Sequence, residues 1–413
     1  MHQKADSLVC LVDSKFRGPY GHYYDHVVES ARAIKSQMPD RRVLVFSGPQ
    51  KKELTEVLQT EQSIDLSVPC LTKLWLTDQS SPRQLLKAAL RDAAALSKQL
   101  LQHRTGRNVT LIFTDLSLYE FLVLGCLRLV CLRLRIRAAG VFRRTPLDPN
   151  GVLLKKYALL LRISPANILW RAALKNTEVF TDCPILQKIL TEHLRISARL
   201  APQCLPGVWS ILEQAPVNTV DPDTVPTIGF VGDPSIRRGF NLFASTALAM
   251  ESERRNRKVR FVATVKPHCM MDRSIILLLE TLNAGLTGIT VQERLMLGDQ
   301  FAREMNSVDV VWALHDDRLY CSGGTSGVFA SAMCLGKKVI ANRGSWAQVV
   351  TGRTPLADFA GFNLEEAIKG ISALISANND TNGLKETQRW RTEHSKSAFY
   401  QHIAEVVYWG DEP

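Results

Sequence analysis

Short apolar runs alternate with stretches in which apolar residues recur every third or fourth position. The run SLVCLV from Ser7 predicts a buried strand, and Tyr24, Val27, Val28, Ala31 and Ile34 after it carry helical spacing. RRVLVFSG from Arg41 predicts a second strand, a helix holds Ala88 to Leu101, and VTLIFTD from Val109 predicts a third strand. A helix over roughly 118–135 then leads to RAAGVFRR, a helical stretch near 152–174 and the short strand EVFTD from Glu178. Strands and helices in this order predict a parallel sheet with helices on both faces.

Residues 201–226 break the pattern with Pro202, Pro206, Pro216, Pro222 and Pro226, and predict a linker. The alternation then resumes with PTIGFVG, a helix from about 240, KVRFVATV, a helix near 272–284, SVDVVWAL, a helix from about 326 and KKVIAN. Residues 384–409 read as one last amphipathic helix. The expected organisation is an α/β domain over 1–200, the linker over 201–226, a second α/β domain over 227–383 and the terminal segment 384–413.

Composition adds bounds. With 413 residues, 46% hydrophobic and 22% charged, the chain has material for two globular cores. Leu8 to Val12 is too short for a leader's apolar region, and FLVLGCL from Phe121 stops at Arg128, so no membrane span is expected. Nine cysteines without a CxxC pair fit a reducing compartment and predict a cytoplasmic chain without a structural metal.

Charge is unevenly spread. Residues 1–200 carry a net +13 and the rest −2, which bears on partners rather than on fold. No aromatic residues interleave with the basic ones, so no nucleic-acid partner is expected. Arg128, Arg133, Arg135 and Arg137 crowd LRLVCLRLRIR, which fits either an anionic membrane surface or the buried face of a helix.

Candidate chemistry sits in loops that follow predicted strands, where helix N-termini meet ligands. After TIGFV come Gly232, Asp233, Arg237, Arg238 and Gly239, a tight turn with two cations for a diphosphate, or an ordinary turn with exposed arginines. Gly324, Thr325, Ser326 and Gly327 open the helix VFASAMCLG, and their N–H groups and hydroxyls suit an anion or a simple helix cap. Gly21 and His22 stand at the first helix entrance, and His22 is a candidate base or a packing histidine. Arg143 and Arg144 end another apolar segment as candidate acceptor or phosphate contacts, and Asp115 ends VTLIFTD as a second candidate base.

Three segments in this order resemble GT-B glycosyltransferases of the family-4-like group. GHYYDHVVESARAIK is similar to the opening loop and helix, and GFVGDPSIRRGF to the glycine loop, with Arg238 where members carry lysine. LHDDRLYCSGGTSGVFASAMCLGKKVIANRGSW looks like the donor-binding block and adds Tyr320 to the donor set. Two donor-site glutamates common in the group are here Gly323 and Ser331, which marks a divergent member. The resemblance implies two Rossmann-like domains facing a cleft, with a final helix crossing between them. It implies a metal-independent transferase that needs no cofactor, uses a nucleotide-sugar donor and a glycan or lipid-linked acceptor, and acts in the cytoplasm or at the inner face of a membrane. A catalytically silent nucleotide- or partner-binding subunit and a sugar-nucleotide epimerase are the alternatives.

Overall fold

The protein is described by a computed structural model over residues 8–16, 18, 22–71, 82–103, 108–143, 146–147, 152, 154, 164–214, 225–251, 258–265, 273–283, 289–294, 298–316, 324–377 and 381–409. The chain forms two compact units. The first comprises Met1–Asp182, Leu186–Cys204 and Ser397–Pro413, and the second comprises Cys183–Ile185 and Leu205–Lys396.

The first unit is built on seven parallel strands: β1 (Leu8–Asp13), β2 (Val43–Ser47), β3 (Leu66–Pro69), β4 (Asn108–Leu116), β5 (Arg135–Phe142), β6 (Thr177–Thr181) and β7 (Ala198–Leu200). Their order across the sheet is β3-β2-β1-β4-β5-β6-β7. The inner strands β1 and β2 are buried along their whole length, as helices on both faces require. Between the strands run α1 (His22–Gln37), α2 (Lys52–Leu58), α3 (Pro82–His103), α4 (Leu118–Val130), α5 (Ser164–Leu174) and α6 (Pro184–Ile189). Ser117 and Glu120 close a reciprocal capping box that starts α4 directly after β4.

The second unit contains β8 (Thr227–Gly232), β9 (Arg260–Val265), β10 (Thr290–Glu293), β11 (Val310–Ala313), β12 (Lys338–Asn342) and β13 (Ala357–Ala360), all parallel in the order β10-β9-β8-β11-β12-β13. Its helices are α7 (Pro206–Gln214), α8 (Phe240–Ala249), α9 (Arg273–Asn283), α10 (Asp299–Asn306), α11 (Gly327–Leu335), α12 (Trp346–Thr351), α13 (Leu364–Ser376) and α14 (Thr381–Glu393). Phe230, Phe240, Phe243, Phe261 and Trp312 meet in its core, with Phe243 and Trp312 edge to face at 5.4 Å. The last helix, α15 (Lys396–Trp409), belongs almost entirely to the first unit.

Three expectations change. The segment read as one terminal helix is two, broken at His394 and Ser395. Part of the proline-rich stretch is α7, which buries Val208, Trp209 and Ile211 within the second unit. The basic run near Arg128 is not a continuous helix, because α4 ends at Val130 and Arg135 begins β5. Arg128 points inward: its guanidinium donates to the carbonyls of Ala172 (2.9 Å), Ala173 (2.6 Å), Ile136 (3.2 Å) and Asn176 (2.8 Å). It therefore staples the ends of α4 and α5 to the start of β5. Among the described residues, no helix is long and apolar enough to cross a bilayer.

Candidate functional site

In an open parallel sheet, the strand order reverses direction at one point, and ligands settle beyond the carboxyl ends of the strands there. In the second unit that point lies between β8 and β11. The loop after β8 passes through Gly232 (φ 134°), a short 3-10 turn at Ile236–Arg238 and Gly239 (φ 73°) before α8. Gly239 is demanded twice, by its left-handed backbone and by the Leu314 carbonyl, which would lie 2.1 Å from any Cβ. That close approach seats the loop against the end of β11, where Asp316 N–H donates to the Arg237 carbonyl at 3.0 Å. Arg237 and Asp233 are exposed, and Arg238 is half-buried.

His315 occupies the junction. Its Nδ1 lies 3.4 Å from the Arg238 carbonyl and its Nε2 lies 3.3 Å from Ser326 Oγ. Burial, reinforced by the Arg238 charge and opposed by the Arg238 carbonyl bond, pushes its pKa down to about 4. The ring is therefore neutral near pH 7. A carbonyl only accepts, so Nδ1 carries the proton and Nε2 accepts from the Ser326 hydroxyl. Ser326 Oγ in turn caps α11 by accepting from Phe329 N–H at 3.3 Å. Asn342, the last residue of β12, accepts from His315 N–H at 2.8 Å and donates to the His315 carbonyl at 2.6 Å. A small pocket here is lined by His315, Gly324, Ser326, Asn342, Ser345 and Trp346, among others. Arg238, the positive end of α11 and a neutral imidazole thus lie together beyond the carboxyl ends of β8 and β11, an arrangement suited to an anion.

The first unit has its own reversal, between β1 and β4. Asp13 ends β1, receives the Thr114 hydroxyl and accepts from Lys15 N–H at 2.7 Å. Burial raises its pKa to about 6, with the Thr114 bond opposing and the nearby Asp115 charge adding to the rise. The Lys15 ammonium pairs with Asp115. Glu120, fully buried, is likewise pushed up by burial and held back by Lys15. Asp115 therefore sits in a group of three carboxylates and one ammonium, a setting that can hold and pass a proton.

The predicted residues divide as follows. The structure joins Arg237 and Arg238 to the end of β11, and Ser326 to the same histidine, with Gly324 in the adjoining pocket. Thr325 is half-exposed, and Gly327 is the first residue of α11. Arg143 is turned to Asp182 at 3.5 Å within the first unit, so its charge is matched there. Gly21, Arg144 and Tyr320 lie outside the described residues, as does the side chain of His22, whose backbone starts α1. Among the described residues no group of three or more His, Cys, Asp or Glu side chains is placed to hold a metal. Sequence reasoning missed His315, Asn342, Asp13 and Lys15. Each stands at or just beyond the last residue of an apolar strand, the one signal that marked them.

No protein-family model matches the chain, and no curated protein matches it by sequence. Solved structures do match. A structure described as trehalose-6-phosphate from E. coli bound with UDP-2-fluoro glucose aligns over 98% of this chain and 97% of that one, with a TM-score of 0.62 at 10% identity. A glycosyltransferase from Rickettsia africae aligns over 97% and 98%, with a TM-score of 0.62 at 12% identity. A protein from Listeria monocytogenes described as a UDP-N-acetylglucosamine 2-epimerase aligns over 97% and 96%, with a TM-score of 0.59 at 11% identity. The fold of the chain is that of the GT-B proteins: two parallel-sheet α/β units of seven and six strands.

Proposed function

We propose that the chain is a glycosyltransferase that moves a sugar from a nucleoside-diphosphate sugar to a glycan or lipid-linked acceptor without a metal ion. One observation carries this reading: Arg238, the start of α11 and neutral His315 are gathered at the β8–β11 reversal. The departing nucleoside diphosphate gains negative charge as the glycosidic bond breaks. Arg238 and the N–H groups at Gly327 and Val328 stabilise that charge, and each such donor contributes about 2.7–4 kcal/mol in comparable sites. Neutral His315 adds no cation of its own. It orders Ser326, so the helix start meets the diphosphate already arranged.

In this reading Asp115, paired with the Lys15 ammonium, is the base that takes the proton from the acceptor hydroxyl. Asp13 accepts from the Lys15 backbone N–H at 2.7 Å, which helps to hold Lys15 beside Asp115. The whole-length likeness to a UDP-2-fluoro glucose complex and to a glycosyltransferase supports a nucleotide-sugar donor.

The test is a panel of UDP-, GDP- and ADP-sugars offered with and without candidate acceptors. Transfer with inversion or retention at the anomeric carbon, undiminished by EDTA, is the expected result. Interconversion of the donor's C2 epimers without transfer would favour the epimerase, the reading that the Listeria likeness supports. Tight nucleotide binding with neither reaction would leave a silent binding subunit.

A further inference from the structure

The pocket at the head of α11 is lined by Trp346, whose hydrogen-bond donor is unused among the described residues. Trp346 opens α12 and is only 2% exposed. Its ring packs edge to face against Phe329 at 5.9 Å and Trp390 at 5.8 Å. Its indole Nε1 is buried and has no hydrogen-bond partner among the described residues. Trp346 lines the pocket together with Gly324 and Ser326.

The neighbouring polar groups are committed elsewhere. The His315 ring lies between the Arg238 carbonyl and Ser326. The Asn342 amide holds the His315 backbone, and the Ser345 hydroxyl donates to the Asn342 carbonyl at 2.7 Å. An indole N–H only donates, and a buried donor left unmatched destabilises more than a matched one stabilises. Something with an acceptor oxygen therefore belongs in front of it. The pocket that Trp346 lines is small.

We propose that Trp346 reads the donor substrate: its Nε1–H donates to a hydroxyl or carbonyl oxygen of a nucleotide sugar whose diphosphate lies at the start of α11. This rests on the glycosyltransferase reading above and adds a residue that selects among donors. A site built around a donor-only group rejects an analogue lacking the oxygen, because the indole is then left unpaired.

The experiment uses full-length protein with 15N-labelled tryptophan. The spectrum of Trp346→Phe assigns the Trp346 indole resonance, and phenylalanine keeps the aromatic packing while removing the N–H. UDP, GDP and ADP are titrated, each alone and as its glucose conjugate. The resonance is expected to move on binding, and Trp346→Phe is expected to weaken the dissociation constant about tenfold. Weakening for the free nucleoside diphosphate as well places the oxygen on that part of the ligand. Weakening for the conjugate alone places it on the sugar. Binding with an unmoved resonance and an unchanged Trp346→Phe affinity overturns the inference, with a bound water as the only occupant, and leaves the glycosyltransferase reading standing. If the wild-type protein binds none of the panel, both fall.

Discussion

Asn342 holds His315 by both polar groups of its backbone, accepting from the N–H at 2.8 Å and donating to the carbonyl at 2.6 Å. Both residues are buried, so a truncated side chain strands two main-chain groups. Asn342→Ala is expected to lower stability by about 2–3 kcal/mol in urea unfolding, with Asn342→Asp keeping only the acceptor and falling between. Equal stability of Ala and wild type would show that the clasp contributes nothing.

Titration of His315 sets a pH dependence. Its pKa is about 4 in the folded chain, below the ordinary 6.5, so the unfolded chain binds the extra proton between those values. The stability it brings is whole above about pH 6.5 and is lost as pH falls towards 4. His394 and His402, also pushed down to about 4 by burial, act in the same direction. Asp13, raised to about 6, and Asp25, raised to about 7, favour the folded state at low pH and lose that effect as pH rises through those values. The stability difference between wild type and His315→Gln isolates one group, and it should shrink steadily between pH 6.5 and 4.

Arg238→Ala is expected to weaken nucleoside-diphosphate binding at least tenfold with the fold intact, since a charge-assisted contact is removed from a half-buried position. Ser326→Ala should weaken it less, because the backbone donors of α11 remain. Titration calorimetry decides, and unchanged affinity in folded Arg238→Ala removes that side chain from the site.

Arg128→Gln is expected to destabilise the first unit by about 2–4 kcal/mol, because several carbonyls lose their donor together. Adsorption to anionic vesicles should be the same for variant and wild type. Loss of vesicle binding at unchanged stability would return Arg128 to the surface role that its sequence context suggested.

Deleting residues 396–413 removes Phe399, Ile403, Val406 and Val407, all buried within the first unit. The truncated chain is expected to aggregate, and light scattering with a melting curve checks it. A monomer that melts like wild type would show α15 to be dispensable.

The inner strands were legible because burial on both faces makes them nearly continuous apolar runs, as in LVCLVD and TIGFVG. The strands β3, β7 and β10 were not, since they are short and partly exposed and carry no such run. The glycine loop and the Ser326 helix start were legible from backbone requirements that only certain residues meet. His315 and Asn342 escaped because their role depends on β11 and β12 lying side by side, with Trp312 opposite Ile340 and Ala313 opposite Ala341. Nothing local in the chain records that adjacency. The acceptors of Arg128 were hidden for the same reason, since they lie up to 49 residues away.

Because α15 completes the first unit from the far end of the chain, synthesis and folding run in different orders. A ribosome that has made residues 1–204 has all seven strands of the first sheet but not Phe399 or Val407, which fill part of the first unit's core. The second unit, by contrast, has all its residues by Lys396. Protease resistance of stalled nascent chains should therefore arise in residues 205–396 before it is complete in the first sheet, although domains usually mature from the N-terminus onward. The nascent first unit must stay unfinished, and open to chaperones, until the last helix emerges from the ribosome.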